Sequence, residues 1–260
     1  MAAILTLLTD FGLQDAYVGM MKGAIARINP DSLVIDLSHN IPPQNIRAAS
    51  FCLATAFPYF PADTVHLVVV DPGVGGTRKS VAIKFAQGYV VAPDNGLCSH
   101  LVQQYPVLAA VSLTNFKYWL TPSPSKTFHG RDIFAPVAAH LARGVAIQDL
   151  GEMIAPPSLF TLPALDIVPT PTGLLGKIQY IDHFGNLVTN IPSDRVAGKV
   201  WYLKVAGKRI SYRHTYSGVP AGQSIALIGS HNYIEIATNQ GSAAQELGCT
   251  WGDSVEVTLV

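Results

Sequence analysis

Val65-His66-Leu67-Val68-Val69-Val70-Asp71-Pro72-Gly73-Val74-Gly75-Gly76-Thr77-Arg78 is the stretch that decides the fold. Its first half, entered at Thr64, is a short and nearly continuous apolar run, the pattern of a strand buried on both faces. The strand ends on a carboxylate and the Gly-rich turn after it ends on a guanidinium. In an α/β fold, polar groups at the carboxyl end of a buried strand face a ligand crevice. The chain start repeats the design, because Ile4-Leu5-Thr6-Leu7-Leu8-Thr9 runs into Asp10-Phe11-Gly12. Two strands that each deliver an aspartate to one sheet edge indicate a site as well as a core.

Working outward, strands and helices alternate. Tyr17, Met21, Ala24 and Ile28 recur at helical spacing, with Val18 and Ile25 widening the stripe, and Asn29-Pro30 ends that helix. Leu33–Leu37 reads as a strand, Ile46–Phe57 as a helix stopped by Pro58, and Val81–Phe85 and Tyr89–Ala92 as strands joined by a Gln87-Gly88 turn. A further helix spans Ile133–Arg143, with Asp132 as its N-cap and Gly144 at its end. This alternation predicts an α/β N-terminal domain, residues 1–162, with a mainly parallel sheet and flanking helices. Residues 163–172 form a Pro-rich linker. From 173 to 260 helical periodicity fades. Lys177–Ile181, Val200–Val205, Ile225–Ile228, Tyr233–Ala237 and Val255–Val260 read as short strands separated by Gly/Asn/Ser turns, predicting a smaller all-β, barrel-like C-terminal domain.

The totals exclude several classes. Only 13% of residues are charged and the formal net charge is zero, so no polyelectrolyte partner is implied and no basic stripe for nucleic acid exists. Cys52, Cys98 and Cys249 are far apart and form no zinc-type spacing, which fits reduced thiols and a metal-free cytoplasmic protein. The apolar N-terminal run meets Asp10 too soon for a signal peptide or a membrane helix.

Five constellations carry polar chemistry. Asp10 can accept hydrogen bonds from a sugar diol, or it can simply close a turn. The loop Asp71–Arg78 can form an anion nest, but it lacks the Lys-Ser/Thr pair and following helix of a phosphate loop; its bland alternative is a surface ion pair. Thr127-Phe128-His129-Gly130-Arg131-Asp132 places a histidine directly before a helix. Ile181-Asp182-His183-Phe184-Gly185-Asn186-Leu187-Val188-Thr189-Asn190 is either a grip for an amino-acid head group, through Asp182 and Asn186, or a hairpin with turn-favouring residues. Gly229-Ser230-His231-Asn232-Tyr233 and Thr238–Ala243 flank a strand as loops. His39, His66, His100 and His140 have no partner pattern and read as structural.

In their order, Thr-Asp-Phe-Gly, Asp-Pro-Gly-Val-Gly-Gly-Thr-Arg, Phe-His-Gly-Arg-Asp and Asp-His-Phe-Gly-Asn-Leu-Val-Thr-Asn resemble one family, the S-adenosylmethionine hydrolases (hydroxide adenosyltransferases), related to S-adenosylmethionine-dependent fluorinases and chlorinases. The resemblance runs from about Ile4 to the C-terminus. It implies hydrolysis of S-adenosylmethionine to adenosine and L-methionine, with the sulfonium as substrate and no cofactor or metal. It also implies a homotrimer whose sites lie between the N-terminal domain of one subunit and the C-terminal domain of its neighbour. Asp71, Arg78 and His129 match the catalytic set near the attacking water, with either Asp71 or His129 as the base. Asp10 matches the residue on the ribose hydroxyls. Asp182 and Asn186 match the grip on the methionine end, joined by Ser230. The adenine pocket falls in the Tyr233–Gln240 region, with Tyr233 and Asn239 as its candidates. Two alternatives are a halide-dependent synthase of 5′-halo-5′-deoxyadenosine and a binding protein without turnover. Asp71 speaks against the first, since a carboxylate ~4 Å from a halide repels it by roughly 4 kcal/mol at an effective dielectric near 20.

Overall fold

The computed structural model describes residues 2–260. They fall into two compact units, one ending at Leu162 and one running from Pro163 to Val260.

The first unit holds strands β1 (Ile4–Thr9), β2 (Leu33–Ser38), β3 (Thr64–Val69), β4 (Ser80–Phe85), β5 (Gly88–Pro93), β6 (Ala109–Ser112) and β7 (Glu152–Met153). Its main helices are α1 (Tyr17–Ile28), α2 (Ile46–Ala56), α3 (Ser99–Gln104) and α4 (Ala135–Ala142). The sheet order is β2-β1-β3-β5-β4-β6-β7. The expected parallel sheet is the β2-β1-β3-β5 half, and the later strands add antiparallel pairings to its edge. The β4–β5 turn is Ala86-Gln87 rather than Gln87-Gly88, because Gly88 already pairs with Phe85.

Alternation along β1 and β3 builds two cores. Leu5, Leu7, Val65, Leu67 and Val69 share one cluster with Met21 and Ile25 of α1, Val137 of α4 and Phe134 just before α4. Each such side chain, fully withdrawn from water, contributes about 1.5–3 kcal/mol. On the opposite face His66 packs against Phe57 and Phe60, and its Nδ1 meets Thr6 Oγ1 at 2.8 Å. Burial pushes the His66 imidazole down to about 4, which suits a neutral core residue.

The order of these strands also positions the site. From β1 the chain passes through α1 to β2 on one side, then through α2 to β3 on the other. The topology therefore reverses between β1 and β3, and open parallel sheets place their ligand crevices at such a point. Thr9 is in register with Val69, so Asp10 and Asp71 leave the same sheet edge on neighbouring strands.

The second unit contains β8 (Val168–Thr170), β9 (Gly173–Ile181), β10 (Leu187–Pro192), β11 (Trp201–Val205), β12 (Lys208–Ser211), β13 (Ser224–Ile228), β14 (Tyr233–Thr238) and β15 (Ser254–Leu259), with one short helix, α5 (Ala243–Leu247). The sheet runs β12-β11-β15-β9-β10-β14-β13, all antiparallel. Its outer strands meet at a Tyr212–Ala226 bridge, where Arg213 N–H donates to Ala226 O at 2.9 Å, so the sheet nearly closes into a barrel. Part of the Pro-rich stretch is itself structured, since β8 pairs with β9. Among the described residues, no helix is long and apolar enough to cross a membrane.

Candidate active site

Asp71, Arg78 and His129 converge in the first unit, from segments more than 50 residues apart. Arg78 Nε donates to both Asp71 carboxylate oxygens at 3.0 Å. Its Nη1 donates to Ser80 Oγ at 2.9 Å, and its Nη2 reaches Asp71 and, at 2.8 Å, His129 Nδ1. The Arg78 Cζ also lies 5.3 Å from the centre of the buried Phe134 ring. Little freedom remains: the Asp71 and Arg78 side chains are 5% and 10% exposed. A guanidinium has donors only, so His129 Nδ1 must present its lone pair and the ring proton sits on Nε2. Burial, then the Arg78 charge, hold the His129 imidazole below its ordinary value, against an opposite pull from Asp71 and Asp132.

Two loops hold this set. The Asp71–Arg78 loop touches the loop before His129 through Gly75, whose φ is +75° and which sits against the Lys126 carbonyl. The second loop is drawn in by Asp132, whose carboxylate accepts from Ser125 N–H at 2.8 Å and from Arg131 at 2.6 Å. Asp132 is therefore not the N-cap expected of it. It lies inside a wide π-type turn, Gly130–Phe134, that precedes α4, and its residue is almost completely buried. Burial alone would raise its carboxyl, but the Arg131 and Ser125 hydrogen bonds bring it below the usual range. Wide turns of this kind are often found at functional sites, where they re-aim a flanking side chain.

Asp10 shares a cleft with Asp71 and His129. The cleft has a volume of about 400 Å³ and is also walled by Phe11, Tyr17, Gln44 and Phe128. That volume lies in the usual range for small-molecule sites. The Phe11, Tyr17 and Phe128 rings meet edge-to-face with centres 5.3–5.9 Å apart. Tyr17, read from the sequence as part of the helix core stripe, is instead 46% exposed and lines the cleft. Asp10 Oδ2 accepts from Gln44 N–H at 2.8 Å.

In the second unit, Asp182 closes a hairpin. Its Oδ1 accepts from the Phe184 and Asn186 N–H groups at 2.9 and 2.8 Å, and its Oδ2 from Asn186 Nδ2 at 2.9 Å. The turn at Gly185 has φ +81° and abuts Ser242. Both readings of Asp182 and Asn186 thus concern one structure: the two side chains are locked together, and Asp182 does the turn chemistry. Ser230 is exposed on the loop after β13. Tyr233 opens β14, and burial raises its phenol. Asn239 lies just past the other end of β14, where its Nδ2 donates to Val219 O at 2.7 Å and its side chain ties down a loop. Tyr233 and Asn239 are therefore at opposite ends of one strand, roughly 20 Å apart at ~3.3 Å per residue.

Several polar partners have no sequence signal. Ser80 is a lone serine at a strand start. Glu235 reads as a solvent-facing position in an alternating strand, yet it is buried and accepts from Tyr216 OH at 2.8 Å, with His231 Nε2 at 3.1 Å. Among the described residues, no group of three or more His, Cys, Asp or Glu side chains could hold a metal ion.

An α/β unit with a carboxylate–guanidinium–imidazole set at its switch point, followed by a β-barrel unit, defines the protein class structurally. Residues 5–151 match the N-terminal domain, and residues 176–256 the C-terminal domain, of the SAM hydroxide adenosyltransferases, and the chain belongs to that family. It is 40% identical over 251 residues to an (R)-S-adenosyl-L-methionine hydrolase from Salinispora tropica, covering 96% of this chain and 95% of that one. A fluorinase from Actinopolyspora mzabensis is more distant, at 26% identity over 98% of this chain and 97% of its own. The crystal structure of an uncharacterized conserved protein from Thermotoga maritima superposes with a TM-score of 0.91 at 37% identity, covering 98% of this chain and 99% of that one.

Proposed function

We propose that this chain hydrolyses S-adenosyl-L-methionine to adenosine and L-methionine. The observation that carries the reading is the intact Asp71–Arg78–His129 set, preorganised at the wall of a substrate-sized cleft. Similarity to the Salinispora tropica hydrolase over nearly the whole chain supports it.

The chemistry needs little from the protein beyond positioning. The sulfonium leaves as a neutral thioether, so no acid is required. The water oxygen forms a bond to C5′ from the side opposite sulfur, the C5′–S bond breaks, and its electron pair stays on sulfur. Fixing the water in line supplies much of the rate. Arg78 stabilises the negative charge that develops on the oxygen. His129, with its proton on Nε2, acts as a second donor rather than as the base. Asp71 is then the group that takes the water proton, a choice the sequence left open between it and His129. Asp10 holds the ribose hydroxyls. Asp182, Asn186 and Ser230 engage the methionine end, and the adenine region takes one end of β14, at Tyr233 or at Asn239, since the two stand too far apart to share one ring system.

The histidine assignment sets a pH dependence. Protonation at Nδ1 would place a proton against Arg78, so the active form is neutral His129. Its folded-state value is depressed, so both activity and this contribution to stability are complete above the ordinary histidine range near 6.5. Both are lost as pH falls through the lower folded value. The profile of kcat/KM should show an acid limb below 6.5 that His129→Gln removes; a limb surviving in that variant would exclude His129 as its source.

A carboxylate at Asp71 disfavours the halide-dependent reading, so turnover should proceed in halide-free buffer. The homotrimer is likewise a proposal, supported by apolar Leu13 and Met20, exposed close to cleft residues Phe11 and Tyr17 in the chain. Light scattering that returned a monomer mass would remove it.

A further inference from the structure

We infer that His39 is a positioning residue for the sugar-binding carboxylate, acting on Asp10 through Thr9 and the backbone of residues 11–12. The inference rests on the reading of Asp10 as the ribose-diol residue.

The geometry begins with a register shift. Leu7 pairs with Asp36 but Leu8 pairs with Ser38, so Leu37 is an extra residue at the end of β2. Bulges of this kind commonly re-aim chains beside active sites. Here the shift brings His39 against the Thr9–Gly12 turn. His39 O accepts from Gly12 N–H at 2.8 Å. Its Nδ1 lies 2.8 Å from Thr9 Oγ1, which in turn accepts from Phe11 N–H at 3.2 Å. Its Nε2 faces Asp36 Oδ1 at 3.1 Å, close but poorly aligned for a hydrogen bond, and Asp36 Oδ2 accepts from Lys22 Nζ at 2.6 Å.

Directions follow from the end groups. With Nε2–H set toward the Asp36 carboxylate, Nδ1 is the acceptor and the Thr9 hydroxyl donates to it. One chain of contacts then runs from Lys22 through Asp36, His39 and Thr9 to the Phe11 amide. The backbone on both sides of the Asp10–Phe11 peptide is tied to this chain. Five residues further along the same segment, Gln44 N–H grips Asp10 Oδ2. The His39 side chain is 2% exposed and does not line the cleft, so it cannot touch substrate itself. Its effect on binding passes through where Asp10 stands.

The test is calorimetric binding of adenosine and of 2′,3′-dideoxyadenosine, which lacks the diol. Wild type is expected to prefer adenosine. His39→Phe, which keeps a ring and removes both nitrogens, should shrink that preference by about tenfold, the scale of a hydrogen bond to a charged group. His39→Asn, whose amide can face Thr9, should restore part of it. In an Asp10→Asn background His39→Phe should cost nothing further, because the two act as one unit. Should His39→Phe fail to fold, Asp36→Asn decides, since that side chain is 39% exposed; a reduction of about threefold is expected. Wild type that discriminates, beside a folded His39→Phe (or Asp36→Asn) that discriminates equally, overturns the inference and leaves the Asp10 reading standing. Wild type that does not discriminate overturns both.

Discussion

Replacing Arg78 by leucine is expected to lower kcat by about 100- to 1000-fold while leaving adenosine affinity within a few-fold of wild type. Removal of one preorganised donor to a developing oxyanion has effects of that order. Adenosine has lost the sulfonium and carries no attacking oxygen charge, so its binding reports little of Arg78. The same substitution strands Asp71, whose side chain is 5% exposed, without its counter-ion. Breaking a buried pair from one side costs about 3–5 kcal/mol. The two losses are separable. Adding Asp71→Asn to Arg78→Leu removes the stranded charge and should restore part of the melting temperature but none of the turnover. Arg78→Lys should rescue poorly, because one ammonium cannot span Asp71, Ser80 and His129 as the planar guanidinium does. Single-turnover rates and calorimetric adenosine binding check this; a folded Arg78→Leu with wild-type kcat would contradict the assigned role.

Gly75→Ala should be nearly as damaging, although it removes no functional group. Gly75 holds φ +75°, which costs an L-residue roughly 1–2 kcal/mol. A Cβ there would also stand 2.2 Å from the Lys126 backbone oxygen. Neither partner is the free end of a side chain, so one loop must retreat by about 1 Å. Those loops carry Arg78 and His129, which meet at 2.8 Å. A displacement of that size can cost about 100-fold in rate. Gly73→Ala, two residues earlier, is the control: its added Cβ would meet the Arg78 Cγ at 3.4 Å and Asp71 Oδ1 at 3.8 Å, both ordinary contacts with side chains. Steady-state kinetics and melting curves on the pair check the prediction. Equal tolerance of both substitutions would show that the contact between the two loops does not set the geometry.

The fold was readable where one physical period dominates. The buried runs at β1 and β3 stand in the structure as their pattern predicts, and so does the apolar stripe of α1 at Val18, Met21, Ala24 and Ile25, though not at Tyr17. β10 was harder, because its strand carries Thr189 and Asn190 as buried polar residues. Asn190 Oδ1 accepts from Lys177 N–H and its Nδ2 donates to Leu165 O, a local satisfaction that hides the strand inside an apparent turn. The five residues of α5 are too few to show a helical period. Asp132 has the composition of a cap, but a π-type turn starts the helix earlier and draws its carboxylate inward.

The candidate site divides the same way. Asp10 and Asp71 announce themselves because each ends a buried strand. The link from Arg78 to His129 does not, since no local pattern encodes a contact across 51 residues. The order of four motifs pointed to it only through family resemblance. Ser80, Glu235 and His39 gave no sign of their roles, and the helical spacing of Tyr17 pointed to the core instead of the cleft, because such roles exist only once strands are in register and loops are packed. Sequence patterns record burial; they do not record which polar atoms end up 3 Å apart.

The most direct test of the account is one incubation. The purified protein is mixed with S-adenosyl-L-methionine in heavy-oxygen water, without halide, and the products are identified by mass spectrometry. The account predicts adenosine carrying one heavy oxygen at its 5′ position, unlabelled L-methionine, and no change in product when chloride is added. A chlorinated nucleoside on chloride addition, label in methionine instead of adenosine, or recovery of intact substrate would contradict it.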